Sequence, residues 1–213
     1  MYKIQVDRAA IQNHLHYDWW KYLIGIAATI LIWTMVTTIT RPQTPPEKKI
    51  DIFLAGGFAF DEALSALSAR MLEDFPELLE INFTNIVLEG DPQLEFAGRQ
   101  KLMVMLGSQS GDIFVFSRDE FEMLARQGAF LPLDGLIDDK IEELIPHEEM
   151  EAQKIAVEDE DGQPGDPRIY GLPLKDTAIF DDAFLDVENK VIAVMAYSRN
   201  IDNAIEVVRW MVD

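Results

Sequence analysis

The 213-residue sequence contains no cysteine. That absence excludes a disulfide, a thiolate metal site, a cysteine nucleophile and a lipid attached through an N-terminal cysteine, so any tether has to be the peptide itself. Basic side chains are few: 18 Lys and Arg stand against 38 Asp and Glu, for a net charge of −20. Such a field repels phosphate backbones, and no nucleic-acid partner is expected. Recognisable catalytic spacings are missing as well. No GxSxG, HExxH or P-loop occurs, Ser108, Ser110 and Ser117 have no histidine nearby in sequence, and LAGGFAF at 54–60 fails the GxGxxG spacing. The expectation is a non-enzymatic protein with no metal and no cofactor. There is no internal repeat or low-complexity tract, and 48% hydrophobic with 10% aromatic residues suits a folded chain of one domain plus an appendage.

What the sequence does hold is one long uncharged run. YLIGIAATILIWTMVTTIT, residues 22–40, is nineteen residues without a charge, and as a helix it spans roughly 28 Å, the depth of a bilayer core. Trp19, Trp20 and Tyr22 sit at one end, where amphipathic rings favour the headgroup zone, Lys21 can snorkel beside them, and Trp33 lies within the run. A buried soluble helix is disfavoured by the length of the run. A cleaved signal peptide is disfavoured by the acids and aromatics before it and by the lack of a small-x-small site after it. The expected partner of residues 22–40 is therefore the lipid bilayer. Three Lys/Arg precede the span and three follow within ten residues, which leaves the positive-inside rule undecided. A short arm before a large acidic domain suits an N-terminus inside the cell and a domain outside. His14 and His16, two apart, do not share a helix face, and packing at the headgroup boundary or against a membrane partner is expected of them rather than metal binding.

Residues 1–50 carry six basic and three acidic side chains, a net +3 that leaves −23 for the remainder. RPQTPPEKK at 41–49 reads as a semi-extended spacer of about 25 Å at full stretch. The expected organisation is an arm at 1–21, cytoplasmic, a span at 22–40, a linker at 41–49 and an extracytoplasmic domain at 50–213.

Within that domain, KIDIFLAGG places Ile50, Ile52 and Leu54 on one side and Phe53 and Ala55 on the other, the pattern of a strand covered on both faces. A helix follows over AFDEALSALSARMLEDF, then a strand in EINFTNIVLEG at 80–90. The next helix, Gln93 to Leu106, has Leu94, Phe96, Ala97, Leu102, Met105 and Leu106 as buried candidates. GDIFVF at 111–116 is a third strand, and Ser117 with Glu120 forms a capping pattern for the helix RDEFEMLARQG. In GAFLPLDGLIDD at 128–139, Leu131 and Leu133 are expected to point inward. RIYGLPL at 168–174 and VIAVMAY at 191–197 are two more strands, and NIDNAIEVVRWMV is a closing helix. The prediction is a three-layer α/β domain with a mostly parallel sheet of about five strands and four helices. The Gly/Pro-rich loop VEDEDGQPGDPR at 157–168 concentrates Glu158, Asp159, Glu160, Asp161 and Asp166, but the EF-hand pattern is absent and a solvated hairpin tip is the better reading. His147 stands alone and reads as a surface residue.

The order of phrases resembles the extracellular solute-binding proteins of ABC importers, the sugar-binding group in particular. IDIFLAGG before a long helix, GDIFVFSRDEFEMLARQGAFLPLDGLI, RIYGLPL and a strand leading into SRNIDNAIEVVRWMVD carry the likeness over about 50–213. The resemblance implies ligand contacts at the carboxyl ends of strands, which here means Gly56, Gly57, Phe58, Gly90, Asp91, Ser117 and Arg118. Tyr170, like Trp210 and Phe130, would stack on a sugar if exposed and pack in the core if not. That family is two-lobed, whereas GLPLKDTAIFDDAFLDVENKVIAV passes between two strands in about twenty residues, so the second lobe is missing. One lobe offers one wall of a cleft, and burying most of a small ligand against it is difficult. The implied roles are an auxiliary or assembly subunit of an ABC-type transporter, acting by protein–protein interaction with the integral-membrane subunits; a tethered binder of a small solute such as a sugar; or a membrane-tethered sensor or structural partner outside transport.

Overall fold

The computed structural model describes residues 8–40, 44–136, 145, 147–157, 165–174, 179–180 and 186–212. The chain divides into two units, Met1–Gln43 and Thr44–Asp213.

The first unit is one helix, α1 (Arg8–Thr40). Its segment Trp19–Thr40, 22 residues, is long and apolar enough to cross a membrane. Five threonines interrupt this apolar surface, and each hydroxyl donates back to a carbonyl one turn earlier: Thr29 to Gly25, Thr34 to Ile30, Thr37 to Trp33, Thr38 to Thr34 and Thr40 to Val36. Hydrocarbon offers a hydroxyl no partner, so internal satisfaction of this kind removes most of the penalty of carrying threonine there.

The second unit is a mixed five-stranded sheet between two helical layers. Strands β1 (Lys49–Gly56), β2 (Glu80–Val87) and β3 (Ile113–Ser117) alternate with α2 (Asp61–Asp74), α3 (Pro92–Gly107) and α4 (Arg118–Arg126). A short helix α5 (His147–Ala152), a small antiparallel pair β4 (Lys154–Ile155) and β5 (Arg168–Ile169), and then β6 (Leu172–Leu174), β7 (Lys190–Val194) and α6 (Ile201–Val212) follow. The sheet order is β2-β1-β3-β7-β6. β1 is parallel to β2 and β3, while β7 is antiparallel to both β3 and β6, so four strands run one way and β7 alone is reversed. An antiparallel pair needs no crossover connection, so β6 and β7 can be neighbours in both sequence and sheet.

Alternation along the strands builds both cores. Ile50, Ile52, Leu54, Ile113, Val115, Ile192 and Val194 meet α2 and α6 on one face. Phe53, Ala55, Phe114, Phe116, Val191 and Ala193 meet α3 and α4 on the other. There the rings of Phe53, Phe114 and Phe116 stack in a row, with centroids 4.8 and 5.2 Å apart.

Two sequence expectations need correction. RIYGLPL is not one strand. It breaks at Tyr170 and Gly171, where a Cβ on Gly171 would lie 2.6 Å from Val191 Cγ1 and 3.0 Å from the Ile192 carbonyl, so the chain passes under β7 before β6 begins. In α3, Leu94, Phe96 and Ala97 are exposed rather than buried. Gly98 explains this, because its backbone sits so close to β2 that an added Cβ would be 1.9 Å from the Val87 carbonyl oxygen. That contact fixes the rotation of the helix and turns Leu102, Met105 and Leu106 inward.

The segment after α4 straps the end of β7. Leu131 N–H donates to the Val194 carbonyl, Leu133 N–H to the Ile169 carbonyl, and Ala196 N–H to the Ala129 carbonyl. Phe130 and Leu133 are buried and Leu131 packs against the first core. Pro132, which has no N–H, falls between the two donors that the strap uses.

Candidate functional site

The parallel strands end together on one edge of the sheet, and the residues proposed from sequence as partner-facing cluster there, with one exception. Gly56 closes β1 and Gly57 and Phe58 follow it. Phe58 is 60% exposed and its ring meets that of Phe60, 49% exposed, edge to face at 5.2 Å. Leu88 N–H donates to the Gly56 carbonyl, which brings the Glu89-Gly90-Asp91 turn beside the two glycines. Gly90 has φ +104°, a conformation that favours glycine. Asp91 is the N-cap of α3: its carboxylate accepts from Gln93 N–H at 2.8 Å and Leu94 N–H at 3.4 Å. Its charge is thereby committed to the helix start.

Ser117 occupies the N-cap position of α4, as the sequence pattern predicts, but its hydroxyl donates to the Glu120 carboxylate at 3.3 Å rather than accepting from the backbone. Arg118 pairs with Glu122 at 3.1 Å, and its N–H reaches the Asn189 carbonyl. The exception is Tyr170. It is 8% exposed and packs in the second core, so its ring is not on the open edge. Phe130 is buried in the same core, and Trp210 donates to Asp74 while its ring faces Phe75. The acidic residues 158–161 of the 157–168 loop, and the side chains of His14, His16 and His147, lie outside the described residues.

The central feature of this edge was not proposed from sequence. Lys190, the first residue of β7, is buried, and its ammonium pairs with Glu89, whose carboxylate is half exposed. Nζ rests over β1, since a Cβ on Gly56 would lie 2.8 Å from it. Residues 89 and 190 are 101 positions apart, and only the reversed strand β7 brings them together. The chain thus fills, with its own ion pair, the space at the ends of β1 and β7. Beside it lies a recess of about 230 Å³ lined by Arg118, Glu149, Gln153, Leu174, Asn189 and Lys190 among others. Gln153 is 1% exposed, and its side-chain oxygen is buried without a hydrogen-bond partner. The recess falls below the roughly 300–1,000 Å³ of ordinary small-molecule sites. Among the described residues, no group of three or more His, Cys, Asp or Glu is placed to hold a metal ion.

The opposite edge is closed by polar contacts. Asp112 accepts from Asp51 N–H at 3.0 Å and from the Ser198 hydroxyl at 2.7 Å. Asn200, 7% exposed, donates to the carbonyls of Glu47 and Lys49. Tyr197 donates to the Ser110 carbonyl at 2.9 Å; burial, with Asp112 adding to it, pushes the phenol up to about 12. Thr44 donates to Glu80, and this bond, together with one from Asn82, holds the Glu80 carboxyl below its ordinary value. The linker therefore joins a fastened edge, at the far ends of the strands from Gly56.

No family model matches the sequence, and no curated protein does. Among solved structures the chain is similar to an ABC substrate-binding protein from Listeria monocytogenes in complex with cycloalternan, at 18% identity and TM-score 0.39, over 58% of this chain and 28% of that one. It is also similar to an ABC transporter associated binding protein from B. animalis subsp. lactis in complex with β-1,6-galactobiose, at 18% identity and TM-score 0.36, over 60% and 26%. A third is the N-glycan transport solute binding protein from Streptococcus pneumoniae, at 17% identity and TM-score 0.41, over 61% and 25%. The matched region is thus about a quarter of each of these proteins.

Proposed function

We propose that this chain is a membrane-anchored, non-enzymatic binding protein, with its N-terminus inside and its α/β domain outside the cell, whose single lobe serves as an auxiliary subunit of an ABC-type transporter. The observation that carries the reading is the Glu89–Lys190 pair set over Gly56. Space that a captured solute would need at the strand ends is taken by the protein's own side chains, while Phe58 and Phe60 stand exposed beside it. Exposed aromatic side chains next to a self-filled cleft suit a protein surface, where rings act as anchors, better than an enclosed small molecule. The transporter subunit as partner rests on the phrase-level resemblance described above, and the membrane location on the satisfied threonines and apolar surface of Trp19–Thr40.

The test uses the missing cysteines. A Phe58→Cys chain carrying a photo-crosslinker at that one thiol, expressed in its own membrane, should form an adduct with an ABC permease subunit. A Glu73→Cys control on α2 should not. Adducts in equal yield from both positions, or none with any permease, sink the proposal.

The buried, unpartnered Gln153 oxygen in the small recess favours a second reading, a tethered binder of a small solute. Titration calorimetry of the purified chain against a sugar panel decides it: heat that is lost in Gln153→Leu supports this reading, and silence across the panel removes it.

A further inference from the structure

Among the described residues of the domain, helix α3 carries the most apolar exposed surface. Phe96 is 65% exposed, Met103 76%, Val104 63% and Leu94 56%. At 3.6 residues per turn, Met103, Phe96, Gln100, Val104 and Ala97 fall within about 120° of arc, with Arg99 just beyond one border and Lys101 just beyond the other. This face is not the core stripe of an ordinary amphipathic helix, because Gly98, Leu102, Met105 and Leu106 already supply that on the opposite side. It is a second, outward stripe.

Its charge also differs from that of the rest of the domain. From Pro92 to Gly107 there are two cations and one acid, in a chain with 38 acids and 18 Lys and Arg. Arg99 meets Glu95 and Glu120, and Lys101 reaches the Asn85 carbonyl. Both cations thus flank the apolar stripe but are held against the domain by their own partners, which leaves the stripe from Met103 across to Ala97 without a charge, as a face resting against acyl chains requires.

The chain's own connectivity says what covers the stripe. Thr44 is hydrogen-bonded to Glu80 at the start of β2. That edge strand is the one on which α3 lies, through Gly98 against the Val87 carbonyl and Lys101 on the Asn85 carbonyl. Thr44 stands four positions beyond Thr40, the end of the apolar helix, a distance of about 14 Å at full stretch. A helix on a strand so tethered meets the bilayer surface at very high effective concentration. A second copy is the weaker occupant, because chains of net charge −20 repel one another.

We infer that the outward face of α3 lies on the membrane, with Phe96, Met103 and Val104 in the boundary between headgroups and acyl chains, so that the lobe is held on its side rather than swinging on its linker. This rests on the anchoring role of α1, and the experiment separates the two. Single-cysteine variants Ile30→Cys, Phe96→Cys, Met103→Cys and Glu73→Cys of the full chain carry a nitroxide in nanodiscs of phosphatidylcholine, a zwitterionic surface that does not repel an acidic chain. Relative accessibility to oxygen and to a polar nickel complex reads immersion at each label. Labels at 30, 96 and 103 should be immersed and the label at 73 solvated. Adding Met103→Glu and Val104→Glu to the Phe96→Cys chain should return that label to solvent, with circular dichroism unchanged. If 30 is solvated, the anchor fails and the inference with it. If 30 is immersed while 96 and 103 match 73, the inference alone is overturned. Spin–spin broadening at 103 that grows with the number of chains per disc also overturns it, in favour of a second copy.

Discussion

The two edges of the sheet are built from the same strands and are treated in opposite ways. At the edge where the linker enters, Asp112, Ser198, Asn200, Tyr197 and the Thr44–Glu80 pair join β1, β3, β7 and α6 through hydrogen bonds, several between partners far apart in sequence. At the other edge the chain leaves aromatic rings in solvent and meets one buried cation with one half-exposed acid. Polar networks between distant segments fix geometry, and exposed rings do little for folding but much for association. The fastened edge is the structural one, and the open edge is where the proposed partner would have room.

The largest effect tests what supports both edges. Gly98→Val would place side-chain atoms inside the Val87 carbonyl, and overpacking against backbone has no flexible neighbour to yield, so a loss of about 3 kcal/mol or more is expected in urea unfolding. A stable variant would mean that α3 does not depend on this contact. Next comes the fastened edge. Asp112→Ala strips the acceptor from Asp51 N–H and from Ser198, at a cost of about 2 kcal/mol. A loss no larger than that of an exposed carboxylate would erase the distinction between the edges.

Sequence made the frame legible because two-sided strands and helical spacing are local. Ile50, Ile52 and Leu54 against Phe53 and Ala55 divide between the two cores as the alternation predicts, and GDIFVF behaves alike. The α3 face was read wrongly because a helix apolar on several sides gives no unique stripe, and Gly98 selects its orientation through a contact with a strand. The site was half legible. Glycines and caps at strand ends have local signatures, so the strand-end positions of Gly56, Gly90, Asp91 and Ser117 could be read from sequence, while their meeting a partner belongs to the proposal. Lys190 and Glu89 have none, since their meeting depends on the direction of β7. Asp112, Ser198 and Asn200 were missed for the same reason.

On the open edge, Glu89→Gln leaves the buried Lys190 ammonium without its charge partner, and a loss of about 1 kcal/mol is expected in the same unfolding measurement. The reverse change, Lys190→Met, removes the buried charge itself and leaves an acid already half in water, so it should cost less. Equal losses would mean that the pair does not occupy the site as described. A separate effect, confined to alkaline solution, comes from pH. The fold raises Tyr197 to about 12 from the ordinary 10, so the protonated phenol is favoured in the native state. Its contribution is complete below pH 10 and lost as pH rises from there through about 12. Tyr197→Phe should flatten that alkaline decline in thermal unfolding midpoints, and an unaltered profile would remove the phenol from the contacts that fasten this edge.

The smallest effect on stability belongs to the residue given the largest part in the proposed function. Phe58 is 60% exposed and its ring touches Phe60 rather than either core, so Phe58→Ser should change unfolding by no more than about 0.5 kcal/mol. Phe114→Ser, whose ring is fully buried in the stacked row, should cost several times as much. An exposed anchor shows itself only when a partner is present, because its apolar area is removed from water on binding and not on folding. Under the proposed function, co-purification of the full chain with an ABC permease subunit should therefore fall sharply in Phe58→Ser while the unfolding midpoint holds. Loss of stability comparable to the Phe114 variant would place Phe58 with the fastened parts of the molecule and dissolve the contrast between the two edges.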